Sequence, residues 1–178
     1  MNKLFLFATV IMLLASCNDN KTASATDSSN SDSTKMMNND QKSREQRNVQ
    51  TVKNALQAVN THNAEQIIAV NAPDAVDYGD GNMAPVKSRD SMKAFIAQLF
   101  KSIRDYKGEN FDYYADENTV IAVGDWSGTF KNDLGNMKST GKPFKFKDID
   151  IFKFNNEGQL TEHHSIYPLE VASAGRKK

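Results

Sequence analysis

The apolar residues of this chain change their spacing once, near Tyr106, and no single motif constrains the fold as much. Before that point they recur every three or four residues. After it they alternate. In REQRNVQTVKNALQAVN, residues Val49, Val52, Leu56 and Val59 make one helical stripe, with Ala55 beside it. AEQIIAV predicts a shorter helix before the Asn71-Ala72-Pro73-Asp74 break, and AVDYGDG a short strand ending at Gly79 and Gly81. A third helix starts after Ser88, a capping residue, and carries Met92, Phe95, Ile96, Leu99, Phe100 and Ile103 on one face.

Past Tyr106, NFDYYA, NTVIAVGDWSGTFKN, PFKFKDIDIFKFN and QLTEHHSIYPLEV read as four strands. Asn155-Asn156-Glu157-Gly158 supplies a tight turn between the last two, and LGNMKSTGKP a longer link between the middle two. Helices first and strands afterwards predict an α+β domain. Its sheet is expected to be curved, antiparallel and wrapped around about three N-terminal helices.

The N-terminus carries a different signal. MNKLFLFATVIMLLASC has a positive charge at Lys3, an apolar run from Leu4 to Ala15, and small residues before Cys17. The run is shorter than the ~20 residues a membrane-spanning helix needs. Residues 1–16 therefore read as a secretory signal. Leu14-Ala15-Ser16-Cys17 is similar to the bacterial lipobox, which implies lipidation of Cys17, the chain's one cysteine. The expected location is the bacterial cell envelope, lipid-anchored, facing the periplasm or exposed at the surface. Residues 17–43, rich in Asn, Ser, Thr and Asp, are expected to form a disordered tether. The folded domain is then expected over 44–172, with a basic tail at 173–178.

Basic and acidic residues balance at 22 each, which gives no reason to expect nucleic acid. The sequence also lacks a phosphate-binding Gly-rich loop, a nucleophile elbow, and CxxC or HExxH spacing. Of the three histidines, His163 and His164 are adjacent. On a strand their side chains point to opposite faces, so they cannot chelate one metal together. No metal and no cofactor are expected.

Three segments resemble the SnoaL-like polyketide cyclases of the nuclear transport factor 2-like superfamily, over roughly Gln50 to Val171. They are Asp77-Tyr78 before a Gly-rich turn, Val123 to Phe130 around Trp126-Ser127-Gly128, and the hairpin from Asp150 to His163. The resemblance implies a cone-shaped, cystatin-like fold with a pocket at the wide end, and a possible homodimer through the outer sheet face. Cyclising members usually end on E-H-W-D-x-x-D, where an acid works with the histidine. Here Glu162 and His163 match, but His164, Ser165 and Pro168 occupy the tryptophan and acid positions. Tyr78 stands where a pocket histidine often follows the early aspartate.

The resemblance thus implies a ligand pocket around Tyr78, Met83, Trp126, Phe130, Ser165 and Tyr167, with Asp77 and His163 as candidate catalytic residues. The expected function is binding of a small apolar or amphipathic molecule without catalysis. The alternatives are a cofactor-free isomerase or cyclase that uses Asp77 or His163 for proton transfer, and a protein-interaction adaptor. An adaptor would use apolar residues of the outer face, Ile149, Ile151 or Ile166.

Overall fold

A computed structural model describes residues 29–81, 83–135 and 137–167. The signal segment, Cys17 and the start of the expected tether lie outside the described residues, as does the stretch from Pro168 to the basic tail. In chain order the elements are α1 (Ser29–Asn60), α2 (Ala64–Ile68), β1 (Asn71–Gly79), β2 (Val86–Lys87), α3 (Arg89–Ser102), β3 (Lys107–Asp116), β4 (Thr119–Thr129), β5 (Pro143–Phe154) and β6 (Leu160–Ile166).

The first helix begins at Ser29, within the stretch expected as a tether and ahead of Arg44. Only the C-terminal half packs. Asn48, Val52 and Leu56 are buried at a spacing of four, whereas Met36 and Met37 are 70% and 73% exposed. Starting a helix costs more than extending one, so a packed half can propagate into the polar segment before it. Asn60 locks the other end. Its amide donates to Gly108 O and its oxygen accepts from Gly108 N, both at 2.9 Å, which ties α1 to the start of β3.

The six strands form one sheet in the order β2-β1-β6-β5-β4-β3. It is mixed, not wholly antiparallel as expected, because β1 runs parallel to β6. The predicted break at Pro73 is also absorbed into β1. The register between β1 and β6 shifts between Asn71 and Val76, and such an irregularity accommodates a residue with no N–H to donate. Ser88 caps α3 as expected, its hydroxyl accepting from Ser91 N at 3.4 Å. The β5–β6 turn closes through Gly158 N to Asn155 O at 3.1 Å, with Gly158 at φ +81°, where only glycine is unstrained.

Alternation gives β5 two distinct faces. Phe144, Phe146, Asp148, Asp150, Phe152 and Phe154 turn inward, and from Asp148 onward these residues are all buried. Lys145, Lys147, Ile149 and Lys153 turn outward and are exposed. Across β4 the inward residues are Val120, Ala122, Gly124, Trp126 and Gly128. Val120, Ala122, Trp126, Phe152, Phe154 and Leu160 form the main core with Val52 and Leu56 of α1. Two acids, Asp148 and Asp150, therefore sit in the same inward row as the core aromatics.

Candidate functional site

Three neighbouring strands place three ionisable side chains in one line. Asp77 comes from β1, His163 from β6 and Asp150 from β5, and in the sheet β6 lies between the other two. The His163 ring donates from Nδ1 to Asp77 Oδ1 at 3.0 Å and from Nε2 to Asp150 Oδ1 at 3.1 Å. Donating from both nitrogens requires the imidazolium form. Burial works against that charge, but the hydrogen bonds and charges of Asp150 and Asp77 overcome it and raise His163 to about 10. Phe152 stacks on the ring with centroids 4.9 Å apart and fixes its plane.

Asp77 shows the matching effect. Burial pushes its carboxyl up, but the hydrogen bond and charge of His163, with the amide of Gly79 at 2.9 Å, hold it below the usual range. The Asp77 and His163 side chains keep 25% and 23% of their surface exposed, so solvent reaches the cluster from this side.

Asp150 is deeper, with a side chain only 5% exposed. Its Oδ1 accepts from His163 and also from Ser165 Oγ at 3.1 Å, whereas its Oδ2 is buried with no hydrogen-bond partner. One oxygen is pinned and the other is free. Two residues earlier, Asp148 is 2% exposed and accepts the Ile149 N–H. Burial, together with the negative charge of Asp150, raises the Asp148 carboxyl to about 7.

Aromatic rings stand against these acids. Tyr106 stacks on Trp126 at 4.9 Å, and Tyr167 meets Phe146 edge-on at 5.4 Å. Burial, followed by the charges of neighbouring groups including Asp148 and Asp150, raises both phenols well above their ordinary range. Both stay protonated and able to donate. The Trp126 indole N–H is a further buried donor without a partner.

The residues expected at the site divide accordingly. Asp77, His163 and Ser165 join one hydrogen-bonded cluster, with Trp126 and Tyr167 on the same inward side of the sheet. Tyr78 does not join them. It stacks on His164 at 4.6 Å, on the opposite face from His163, because the parity that turns Asp77 inward turns its neighbour out. Met83 is 39% exposed in the β1–β2 loop. Phe130 follows the last residue of β4, where its carbonyl accepts from Gly141 N. His164 bonds Glu162 at 3.3 Å on the outer face, and His62 stacks on Phe100.

Asp148, Asp150 and Tyr106 were not among the residues expected at the site. The parity of PFKFKDIDIFKF carried the signal for the two acids, since both share the register of four inward phenylalanines. Among the described residues, no group of three or more His, Cys, Asp or Glu side chains is arranged to hold a metal ion. A separate open groove of about 440 Å³ runs between α1 and β3, lined by residues including Val49, Lys53 and Tyr113, and none of the cluster residues lines it.

Comparison with known proteins agrees with this architecture. The sequence matches the SnoaL-like polyketide cyclase family over residues 50–169. A candidate polyketide cyclase from Xanthomonas campestris pv. campestris superposes with a TM-score of 0.65 at 18% identity, covering 74% of this chain and 98% of its own. A candidate SnoaL-like polyketide cyclase from Jannaschia sp. CCS1 gives 0.65 at 16% identity, over 74% and 92%. AclR, a candidate hydroxylase from Streptomyces galilaeus, gives 0.58 at 20% identity, over 75% and 89%. At these identities the structural likeness establishes the fold alone, and its bearers are named for different reactions. No curated protein matches the chain. The family match, spanning most of the sequence and carried by a curved mixed sheet with N-terminal helices, shows that the chain belongs to the SnoaL-like polyketide cyclase family of the NTF2-like superfamily.

Proposed function

We propose that the domain binds a small, partly apolar carbonyl compound and transfers a proton on it without a cofactor, with Asp150 as the base. The observation that carries this reading is the divided carboxylate of Asp150, one oxygen held by two donors and the other buried and unpartnered. Leaving a buried acceptor unsatisfied costs about 1–3 kcal/mol, and more when it is charged. Capture of an apolar ligand, the function expected from sequence, does not require that cost. A base held ready for a C–H proton does.

In this mechanism Asp150 Oδ2 removes a proton from carbon next to the carbonyl, and the electron pair moves onto the carbonyl oxygen. Trp126 Nε1–H and a tyrosine hydroxyl are the donors suited to that developing charge. Asp148, near half-protonated at neutral pH, is suited to return a proton. His163 already commits both N–H groups, so it is a positioning residue that orients Asp150 and balances its charge. Asp77 fixes the far side of the ring.

The test is deuterium incorporation from heavy water into a panel of enolisable ketones, followed by proton NMR. Folded wild-type protein should accelerate exchange in at least one ketone, and Asp150→Asn should remove roughly 10²–10⁴-fold of that acceleration. A ketone that binds without exchanging faster than in buffer would return the domain to simple ligand capture.

We further propose that Cys17 carries lipid and holds the domain at a membrane, a reading supported by Leu14-Ala15-Ser16-Cys17. With α1 starting at Ser29, residues 18–28 can separate anchor and helix by at most about 40 Å. Metabolic labelling with a fatty acid, present in wild type and lost in Cys17→Ala, would support the anchor. Equal labelling in both would refute it.

A further inference from the structure

The charges inside the sheet do not balance. Asp77, Asp148 and Asp150 stand together, and the cation bonded into the cluster is His163, which lies between Asp77 and Asp150. Among the described residues, His164 also acts on Asp77, but from the outer face, where it is bonded to Glu162. Tyr106 and Tyr167 are held protonated and neutral. The cluster thus sets three carboxyl groups against the single imidazolium of His163.

Two independent features give that excess charge a direction. The Asp150 Oδ2 acceptor and the Trp126 Nε1 donor are both buried without partners, on residues 4% exposed. The acids also adjoin aromatic rings, and π faces attract a bound cation. Tyr106 lies on Trp126, and Phe146, the partner of Trp126 across β4 and β5, meets Tyr167 edge-on. A neutral apolar ligand would leave the excess carboxylate charge in the interior, where an unpaired ion is costly.

We propose that the molecule held among Asp148, Asp150, Trp126 and Tyr106 is an organic cation, an ammonium or quaternary amine that also carries an acceptor oxygen. The positive group lies against Asp150 Oδ2 and the aromatic faces, and the oxygen accepts from Trp126 Nε1. This rests on the reading above that the inner face of the sheet is a ligand site, and it specifies the ligand's charge. Binding of a cation favours ionised Asp148, so complex formation near neutral pH releases a proton.

The test uses purified full-length protein in detergent and two probes of nearly identical shape, choline and its neutral isostere 3,3-dimethylbutan-1-ol. Calorimetry should find choline at least tenfold tighter at pH 8. The preference should shrink below pH 6, and in buffers of different ionisation enthalpy near pH 7 the heats should reveal proton release. Asp150→Asn should bring the two probes within about threefold of one another. If that variant does not fold, the wild-type pH dependence decides alone. Equal or tighter binding of the neutral alcohol would overturn the cationic ligand and leave the ligand site standing. Failure of both probes to bind would also overturn it, while exchange on neutral ketones judges the proton-transfer reading separately.

Discussion

His163 and Asp150 are joined by one hydrogen bond of 3.1 Å that fixes a single oxygen of the carboxylate and leaves the other facing the interior alone. The imidazolium in this pair is stabilised by the fold. Its pKa is raised from 6.5 to about 10, so its contribution is fully present below about pH 6.5 and is lost as pH rises through 10. Wild-type stability should therefore fall between about pH 7 and 10 in urea titrations. His163→Gln should be destabilised by about 3 kcal/mol at pH 7, because it leaves two carboxylates without their cation. It should also lose most of the pH-dependent fall. A variant as stable as wild type, with an unchanged alkaline slope, would deny His163 this role.

Asp148 has the opposite linkage. Burial and the Asp150 charge raise it from 3.8 to about 7, so the folded state retains a proton that the unfolded chain has released. Stability then declines as pH rises from about 4 to 7 and levels off above that. Asp148→Asn should stabilise the protein by about 1–3 kcal/mol at pH 8 and abolish that part of the slope. Thermal melts at pH 5 and pH 8 measure both effects, and a loss of stability at pH 8 would contradict them.

Gly124, the partner of Asp148 across β4 and β5, leaves room that the Phe111 ring occupies. A Cβ at Gly124 would overlap that ring, which is also held edge-on to Trp126 at 5.5 Å. Gly124→Ala should cost about 1–3 kcal/mol by chemical denaturation, through strain that the ring cannot relieve cheaply. A neutral substitution would mean that Phe111 moves freely.

Asn60 provides a check remote from the acids. Its two hydrogen bonds to the Gly108 backbone join helix and sheet. Asn60→Ala should cost about 2 kcal/mol, since both backbone groups lose their side-chain partner. Hydrogen exchange at the Gly108 amide should rise with it; an unchanged rate would mean that the amide is protected by something else.

The sequence made some of these features legible and hid others for physical reasons. Period-two alternation sufficed to separate His163 from His164 and to assign the strands after Tyr106, because side-chain direction on a strand follows parity. The same parity put Asp148 and Asp150 beside Phe146 and Phe152, yet aspartate on a strand ordinarily reads as solvent-facing. Asp150 is buried only because His163 and Ser165 arrive from β6 to bond it. The parallel pairing of β1 with β6 has no local signature, since it joins segments separated by most of the domain. Nor does the start of α1 at Ser29, where polar residues extend a helix that Val52 and Leu56 hold in place from afar. Tyr78 lies one step in parity from Asp77 and stacks on His164, and one residue is enough to exchange the faces.

In the proposed chemistry a carboxyl poised at neutral pH, Asp148, lies beside a fixed base, Asp150, within the sheet. Carbon-13 NMR of aspartate-labelled protein, titrated from pH 3 to 10, would observe that poise. One carboxyl resonance should titrate close to pH 7 and disappear in Asp148→Asn, and Asp150→Asn should shift its midpoint downward. If every aspartate titrates below pH 5, no carboxyl is poised for proton transfer and the proposed chemistry is contradicted.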